Sequence, residues 1–314
     1  MYAIDPAQSV AITTDTFEED RSMAVVTPDA SPALDLTPIP PAVHHEPLQL
    51  ADDVFLVRQL EGEGTRPMCL AVNSLVIAGD EPVIVDTGAR SNRQQWLEDV
   101  FSIVEPRDVR WIYISHDDVD HIGNLGPVLE ACPNARLIVN WLMWQRTAAE
   151  MRLPLARMRW VDDGEHFTAG DRTLVALRPP TFDSPTTRGL FDTKSRIYWA
   201  TDSFGALVPH HVDRVSDLPL ETFQMGFTGF NRTMAPWVAL VDEDKFANSV
   251  QAIRALEPSC IASCHGPVLD PPQFETAYSA MEHLPAAPAM PMPGQEQLEA
   301  MLDAITHGTA GASH

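Results

Sequence analysis

Short apolar runs that are typical of β-strands alternate with helical patterns through the middle of the chain. The strand-like runs are DVFLVRQL, CLAVNSLVIAG, EPVIV, WIYIS, RLIVN, TLVALRP, RIYWATD and CIASC. Residues 94–104 predict a helix, because Trp96, Val100 and Val104 fall on one side of it. Further helices are predicted in GNLGPVLEAC and near residues 141–151, 244–256 and 272–283. This order predicts an α/β protein in which two sheets lie between layers of helices.

The two ends of the chain show different patterns. Residues 1–45 are rich in Pro, Ala, Thr and Asp, which predicts a flexible tail in which His44 and His45 are solvated. Residues 46–285 are expected to form the folded domain, and residues 286–314 a Pro-rich linker followed by an amphipathic helix. We expect the apolar face of that helix to dock on the domain or on a second copy in a homodimer. That face consists of Leu298, Met301, Leu302 and Ile305.

Composition and charge narrow the classes of partner. The formal net charge is −23, and the chain has no cluster of Lys and Arg that would bind nucleic acid or an acidic membrane surface. No run approaches the roughly 20 apolar residues of a membrane span, and the N-terminus lacks the pattern of a secretory signal. The four cysteines show no paired zinc spacing. We therefore expect a cytoplasmic protein whose partner is a small molecule, a gas or a cationic protein.

The most informative segment for chemistry is SHDDVDHIGN, residues 115–124. It follows the apolar run WIYI and precedes a predicted helix, so it is expected on a turn at the carboxyl end of a strand. On a tight turn, His116, Asp118, Asp120 and His121 can converge on a small volume. Like charges packed so closely are costly unless a cation neutralises them. The alternative, a solvated acidic turn, does not explain why the preceding strand is so apolar or why histidines bracket the acids.

Four motifs together resemble the metallo-β-lactamase superfamily over roughly residues 50–285. They are VDTG, SHDDVDHIGN, WATDSFG and SCHGPV, in that order. Most of that family carries HxHxDH, whereas Asp118 makes the motif HxDxDH here, which is similar to the carboxylate-containing HxExDH of the flavodiiron and oxygen-binding diiron branch. The resemblance implies an αββα sandwich. It also implies a set of metal ligands: His116, Asp118, Asp120, His121, Asp202 and His265.

Asp183 marks a departure from the family pattern. The family has a histidine in an HxP context, and the corresponding run here, Asp183-Ser184-Pro185, carries an aspartate at the ligand place. Asp183 precedes Asp202 by 19 residues, the interval that the resemblance implies. Asp183 is therefore predicted to bind a metal or to hold a metal-bound water. The alternative is an Asx-turn before Pro185.

The resemblance implies two divalent metal ions. One is assigned His116, Asp118, Asp183 and the shared Asp202; the other is assigned Asp120, His121, His265 and the same Asp202. A set so rich in oxygen donors favours iron, with zinc or manganese as alternatives. The chain stops before the flavodoxin-like domain of flavodiiron enzymes, so no flavin is expected in it and an external flavoprotein or another electron donor is implied.

Three functions use such a pair of metals. The resemblance favours a diiron oxidoreductase that binds or reduces O₂ or NO. The first alternative is a hydrolase of an ester, lactone, thioester or phosphodiester, which attacks with a metal-bound hydroxide. The second is a module that senses O₂ or redox state without turnover.

Four further side chains are candidates for supporting roles near the metals. His210 and His211 are candidates for proton donors in the pocket, with exposed surface histidines as the alternative. Asp86 is expected to orient a ligand or to tie a loop and not to bind metal. Cys264 is expected on the strand face opposite His265.

Overall fold

Residues 42–308 are described by the structure, a computed structural model. All but the last four residues of the predicted tail lie outside the described residues. Eight strands form the first sheet: β1 (Val43–Ala51), β2 (Val54–Glu61), β3 (Leu70–Ala71), β4 (Ser74–Ile77), β5 (Val83–Val85), β6 (Trp111–Tyr113), β7 (Arg136–Val139) and β8 (Met158–Trp160). Their order is β1-β2-β4-β5-β6-β7-β8, with β3 paired to β2, and the strands from β5 to β8 are parallel.

Five strands form the second sheet. They are β9 (His166–Ala169), β10 (Arg172–Leu177), β11 (Gly189–Asp192), β12 (Ile197–Trp199) and β13 (Cys260–Ala262). The order is β13-β12-β11-β10-β9, and β12 pairs with β13 in parallel. Because β6, β12 and β13 all end without a tight hairpin, the segments after them are free to meet at one edge of the two sheets.

Eight α-helices accompany the sheets within the described residues. They are α1 (Arg93–Ile103), α2 (Val119–Ile122), α3 (Leu125–Ala131), α4 (Trp141–Thr147), α5 (Leu220–Met234), α6 (Glu243–Arg254), α7 (Pro271–Glu282) and α8 (Gln295–Gly308). Short 3-10 helices cover Arg90–Asn92, Leu155–Arg157, Val215–Asp217, Pro236–Leu240 and Leu284–Ala286. Among these elements, none of the helices combines the length and the apolar composition needed to cross a membrane.

Side chains alternate between the two faces of each sheet and so create three apolar layers. In β5, Val83 packs between the sheets, whereas Ile84 packs with Trp96 of α1 on the outer side. In β12, Trp199 packs between the sheets, whereas Tyr198 joins the layer under α5 to α7. Burial of both faces explains why these strands read as continuous apolar runs. The predicted arrangement of two sheets between helix layers is confirmed.

The elements differ from the prediction in two places. Strand β1 begins at Val43, so His44 and His45 belong to a strand and not to the predicted tail. Helix α5 was not among the predicted helices. In α8, Leu298 and Met301 are 48% and 62% exposed, and docking of this helix on the domain stays a prediction. Docking of α8 on a second copy stays a prediction.

Candidate metal centre

The SHDDVDHIGN segment leaves the carboxyl end of β6 as a loop and then forms a single helical turn. His116, in the loop, and His121, in the helical turn α2, are both fully buried. Val119 begins α2 and is 79% exposed, so this turn has one face toward solvent. The helical turn replaces part of the predicted tight turn because the Asp118 carbonyl accepts hydrogen bonds from the backbone N–H groups of His121 and Ile122.

Asp202 lies at the centre of the cluster that this segment helps to form. It follows β12 directly after Thr201, whose left-handed backbone (φ 54°) marks a sharp turn at the end of the strand. Its Oδ1 is 2.9 Å from Nε2 of His121 and 3.3 Å from Nε2 of His265. Its Oδ2 is 3.3 Å from Nε2 of His116. One carboxylate therefore joins two groups of side chains.

The first group, called the first site below, consists of His116, Asp118 and Asp183. Nε2 of His116 is 3.9 Å from Oδ2 of Asp118 and 3.9 Å from Oδ1 of Asp183. Donor atoms of all three residues lie within 4.8 Å of one another. Burial raises the pKa of Asp183 to about 6, and the charge of the bridging carboxylate adds to the effect. A cation placed here would relieve that repulsion.

The second group, called the second site, consists of Asp120, His121 and His265. Nε2 of His265 is 3.2 Å from Oδ2 of Asp120, and Nε2 of His121 is 3.8 Å from the same oxygen. Nδ1 of His265 lies 2.7 Å from the carbonyl oxygen of Ala71. Because the carbonyl oxygen can only accept, Nδ1 donates its N–H, and Nε2 is the nitrogen that faces the cluster.

Cys264 belongs to the same group, contrary to the prediction. Its Sγ shares a set with donor atoms of Asp120, His121 and His265 in which all atoms lie within 4.8 Å of one another. The prediction was wrong because β13 ends at Ala262, so the side-chain alternation of a strand does not continue to Cys264.

The unpaired atoms of the cluster test whether a metal fits. Nε2 of His116, Nε2 of His121 and Oδ1 of Asp202 are buried, yet none forms a hydrogen bond of normal geometry with the described part of the chain. Buried polar atoms without partners are rare because they lose the hydrogen bonds of water and gain none. Lone pairs from imidazole and carboxylate groups are the usual ligands of a metal ion. The residues present therefore fit one ion on each side of Asp202.

Charge coupling within the cluster is strong. Burial raises the pKa of the Asp202 carboxyl, but the charges of His116, His121 and His265 hold it well below its usual range. Burial lowers the pKa of His121 and His265, but the neighbouring Cys264 and Asp202 groups raise it well above its ordinary value. Protons thus take the place next to Asp202 that a divalent ion would take, and a metal would have to displace them.

Comparison with known proteins identifies the family. A family model described as "ODP family beta lactamase" matches residues 70–266, which is more than half of the chain. The chain belongs to this family. It is 27% identical over 201 residues to the putative diflavin flavoprotein A 2 of Nostoc sp. strain PCC 7120, an alignment that covers 63% of this chain and 33% of the relative.

Solved structures confirm the flavodiiron type of metallo-β-lactamase fold for this ODP family chain. Rubredoxin oxygen:oxidoreductase from the anaerobe Desulfovibrio gigas matches with a TM-score of 0.64 and 18% identity, covering 76% of this chain and 61% of that one. The peroxy diiron species of the chemotaxis sensor ODP matches with a TM-score of 0.59 and 18% identity, covering 83% and 100%. The chain spans between 33% and 52% of the length of the first curated relatives that it matches.

Asp86 contacts the second site of this ODP family chain through the ring nitrogen of His121 that does not face Asp202. It is fully buried, and its backbone is left-handed (φ 59°), a costly conformation that a non-glycine residue keeps only where its surroundings enforce it. Its carboxylate accepts hydrogen bonds from the backbone N–H of Ser115 at 2.7 Å and from Nε1 of Trp199 at 3.0 Å. Its Oδ2 lies 3.0 Å from Nδ1 of His121. Asp86 thus orients this imidazole, as predicted.

The two histidines predicted as pocket residues lie outside the cluster. His210 is exposed. His211 stacks on His45 with ring centroids 3.5 Å apart, and its Nε2 lies 2.9 Å from Oδ1 of Asp213. This pairing was not predicted, because His45 was assigned to the tail and not to a strand. Neither His210 nor His211 is in a group of metal-binding type with the seven predicted ligands.

Proposed function

We propose that this chain is a non-haem diiron protein that binds O₂ or NO and reduces the bound gas when an external donor supplies electrons. The main support is the donor set around Asp202. Three imidazoles and four carboxylates come together there, and the four carboxylates balance the charge of two divalent ions. Oxygen-rich sets suit iron or manganese better than zinc.

The similar proteins point to the same chemistry. One is named a rubredoxin oxygen:oxidoreductase and another is a chemotaxis sensor with a peroxy diiron species. The first name describes reduction of O₂ by an electron carrier, and the second describes a sensor. We therefore propose gas binding as the common property, with reduction dependent on a donor.

The residues of the chain have distinct roles in this proposal. When bound, two ferrous ions would supply open coordination positions and electrons for a diatomic gas. Asp202 would hold both ions, because each of its oxygens faces a different site. Asp86 keeps the His121 imidazole in one orientation, and the Phe230 ring, 5.2 Å from the His265 ring, excludes water from that side. Asp118, whose side chain is 43% exposed, leaves the first site accessible.

The electron donor is proposed to be a separate protein. The formal net charge of −23 favours a donor with a basic docking surface, since opposite potentials accelerate association. A flavoprotein or another small electron carrier with such a surface would meet this requirement. The rate of reduction should then fall as ionic strength rises.

The test begins with the full chain, freed of metal and loaded with Fe²⁺ without oxygen. We expect two iron ions per chain and a change in the absorption spectrum when NO or O₂ is admitted. The Asp202→Asn variant is the matched control, because it keeps the side-chain volume and removes the bridging charge. If the spectral change is lost in this variant, that change is assigned to the centre bridged by Asp202.

Measurements of turnover distinguish the oxidoreductase from the sensor and the hydrolase. Consumption of O₂ or NO that continues while a reduced flavoprotein is supplied supports the oxidoreductase. A spectral change without turnover supports a sensor. Absence of gas binding, together with hydrolysis of an ester or thioester by the zinc-loaded protein, would overturn the proposal in favour of a hydrolase.

A further inference from the structure

Cys264 is held beside the second site by its backbone. Its N–H donates to the carbonyl oxygen of Thr201 at 2.7 Å, and its carbonyl oxygen accepts from the N–H of Asn73 at 2.9 Å. The Asn73 side-chain amide also donates to the carbonyl oxygens of Ser263 and Gly266 at 2.9 and 3.0 Å. Bonds on both sides of Cys264 thus fix the direction from which its thiol approaches the cluster.

The thiol is fully enclosed. Cys264 is 0% exposed and forms no disulfide bond. Cys264 belongs to the apolar layer between the sheets, which also includes Ala262 and Val268. Its Sγ nevertheless lies close to the donor atoms of the second site. Apolar packing alone does not account for this proximity.

The other cysteines provide an internal comparison. Cys69, Cys132 and Cys260 are also buried and free. None of them shares a group of metal-binding type with imidazole or carboxylate atoms in the described part of the chain. Sγ of Cys69 instead lies 3.7 Å from the carbonyl oxygen of Pro209. Cys264 is therefore distinguished by its neighbours and not by burial.

We propose that the Cys264 sulfur is an additional ligand of the second metal ion. This inference rests on the two-metal centre of the proposed function. When the ion binds, the thiol loses its proton to solvent and the sulfur donates an electron pair to the metal. The second site then offers two imidazoles, a carboxylate, the shared Asp202 and a thiolate. The first site offers one imidazole, two carboxylates and the shared Asp202, without sulfur.

A sulfur ligand makes the second site softer than the first. Thiolate and imidazole bind Zn²⁺, Co²⁺ and Fe²⁺ well, whereas carboxylates suit harder ions. The two ions are then unequal, and the second site should take Co²⁺ first. Cobalt reports the ligand directly, because thiolate bound to Co²⁺ gives a strong charge-transfer absorption in the near ultraviolet that oxygen and nitrogen donors do not give.

The experiment titrates the metal-free full chain with Co²⁺ in the absence of oxygen. We expect the charge-transfer band to grow with the first equivalent and to stop, while the weak visible bands continue to grow through the second. Cys264→Ser should abolish the charge-transfer band. The control is Cys260→Ser, which changes a buried cysteine of β13 and should keep the band. X-ray absorption of the unmodified chain with one equivalent of Co²⁺ should show one sulfur at roughly 2.3 Å from the cobalt, which occupies the second site.

The outcomes separate this inference from the proposed function. Two cobalt ions bound to the unmodified chain without a charge-transfer band or a sulfur neighbour would overturn the role of Cys264 and leave the two-metal centre intact. A band that persists in Cys264→Ser would have the same meaning. Failure of the unmodified chain to bind any cobalt, iron or zinc would overturn the two-metal centre itself. The X-ray measurement needs no variant, so a misfolded Cys264→Ser leaves the proposal testable.

Discussion

The two sites that share Asp202 differ in access as well as in donors. The first site opens toward solvent, since the side chains of Asp118 and Asp183 are 43% and 19% exposed. The second site is enclosed, because His121 and Cys264 are fully buried and only Asp120 keeps 25% of its side chain exposed.

This difference in access leads us to expect different roles for the two sites. Metal sites that hold an ion permanently are closed by their ligands, whereas sites that bind a substrate keep a coordination position open. The predicted ligands of the first site are more exposed. In the second site, Asp86 contacts the His121 imidazole and holds its orientation. We therefore expect the gas to arrive at the first site and the second ion to be the more tightly held.

The largest expected effect comes from the residue that both sites share. Asp202→Asn keeps the volume of the side chain but removes the charge that faces His116, His121 and His265. We expect the iron content to fall from two ions per chain to nearly none, as measured by elemental analysis after anaerobic loading. Asp171→Asn, an exposed carboxylate outside the cluster, should keep both ions. Two ions retained in Asp202→Asn would mean that the sites are independent.

Removal of one ligand from each site should separate them. Asp183→Ala should lose the first ion and keep the second, and His265→Ala should lose the second and keep the first, each by one ion per chain in elemental analysis. The reason is that each change leaves the ligands of the other site in place. His210→Ala is the control, because this exposed histidine lies outside the cluster. If Asp183→Ala keeps both ions, Asp183 is only a turn residue and the first site has three ligands.

Much of the centre was predictable because its chemistry is local in sequence. The loop after β6 brings four predicted ligands together within six residues, His116 to His121, and an apolar strand before acidic residues marks such a site. Asp202 and His265 required the family resemblance, since their distance along the chain says nothing about their contact in space.

Other features could not be read from the sequence for physical reasons. The stack of His45 on His211 depends on the register of β1 against β2, which is set by pairing over the whole strand. The place of Cys264 depends on the residue at which β13 ends, and strand ends are the least certain part of any pattern. Helix α5, by contrast, could have been predicted, because its buried Phe223, Phe227 and Phe230 recur at helical spacing.

A moderate effect is expected from Asp86, which contacts the second site without reaching the first ligand shell. Asp86→Asn should weaken binding of the second ion about 10- to 100-fold, because the His121 imidazole loses the carboxylate that orients it. Competition with a chelator of known affinity measures the change. Asp99→Asn is a matched control, since Asp99 is also buried and pairs with His44 at 2.9 Å, away from the metals. Equal weakening in both variants would indicate a general loss of stability.

The smallest change in metal content is expected from Asp183→His, which replaces a carboxylate of the first site by imidazole. Both ions should remain, because the new side chain supplies a donor at the same place. An anionic ligand favours the oxidised metal, so its replacement should raise the reduction potential of the first iron while the second iron, held by His121 and His265, keeps its own. A redox titration followed by electron paramagnetic resonance measures the two potentials separately. Asp171→His controls for the change in net charge. A shift of equal size at both irons would show that Asp202 couples them too strongly for the two sites to be treated as distinct, and the expected division between an open first site and an enclosed second one would then fail.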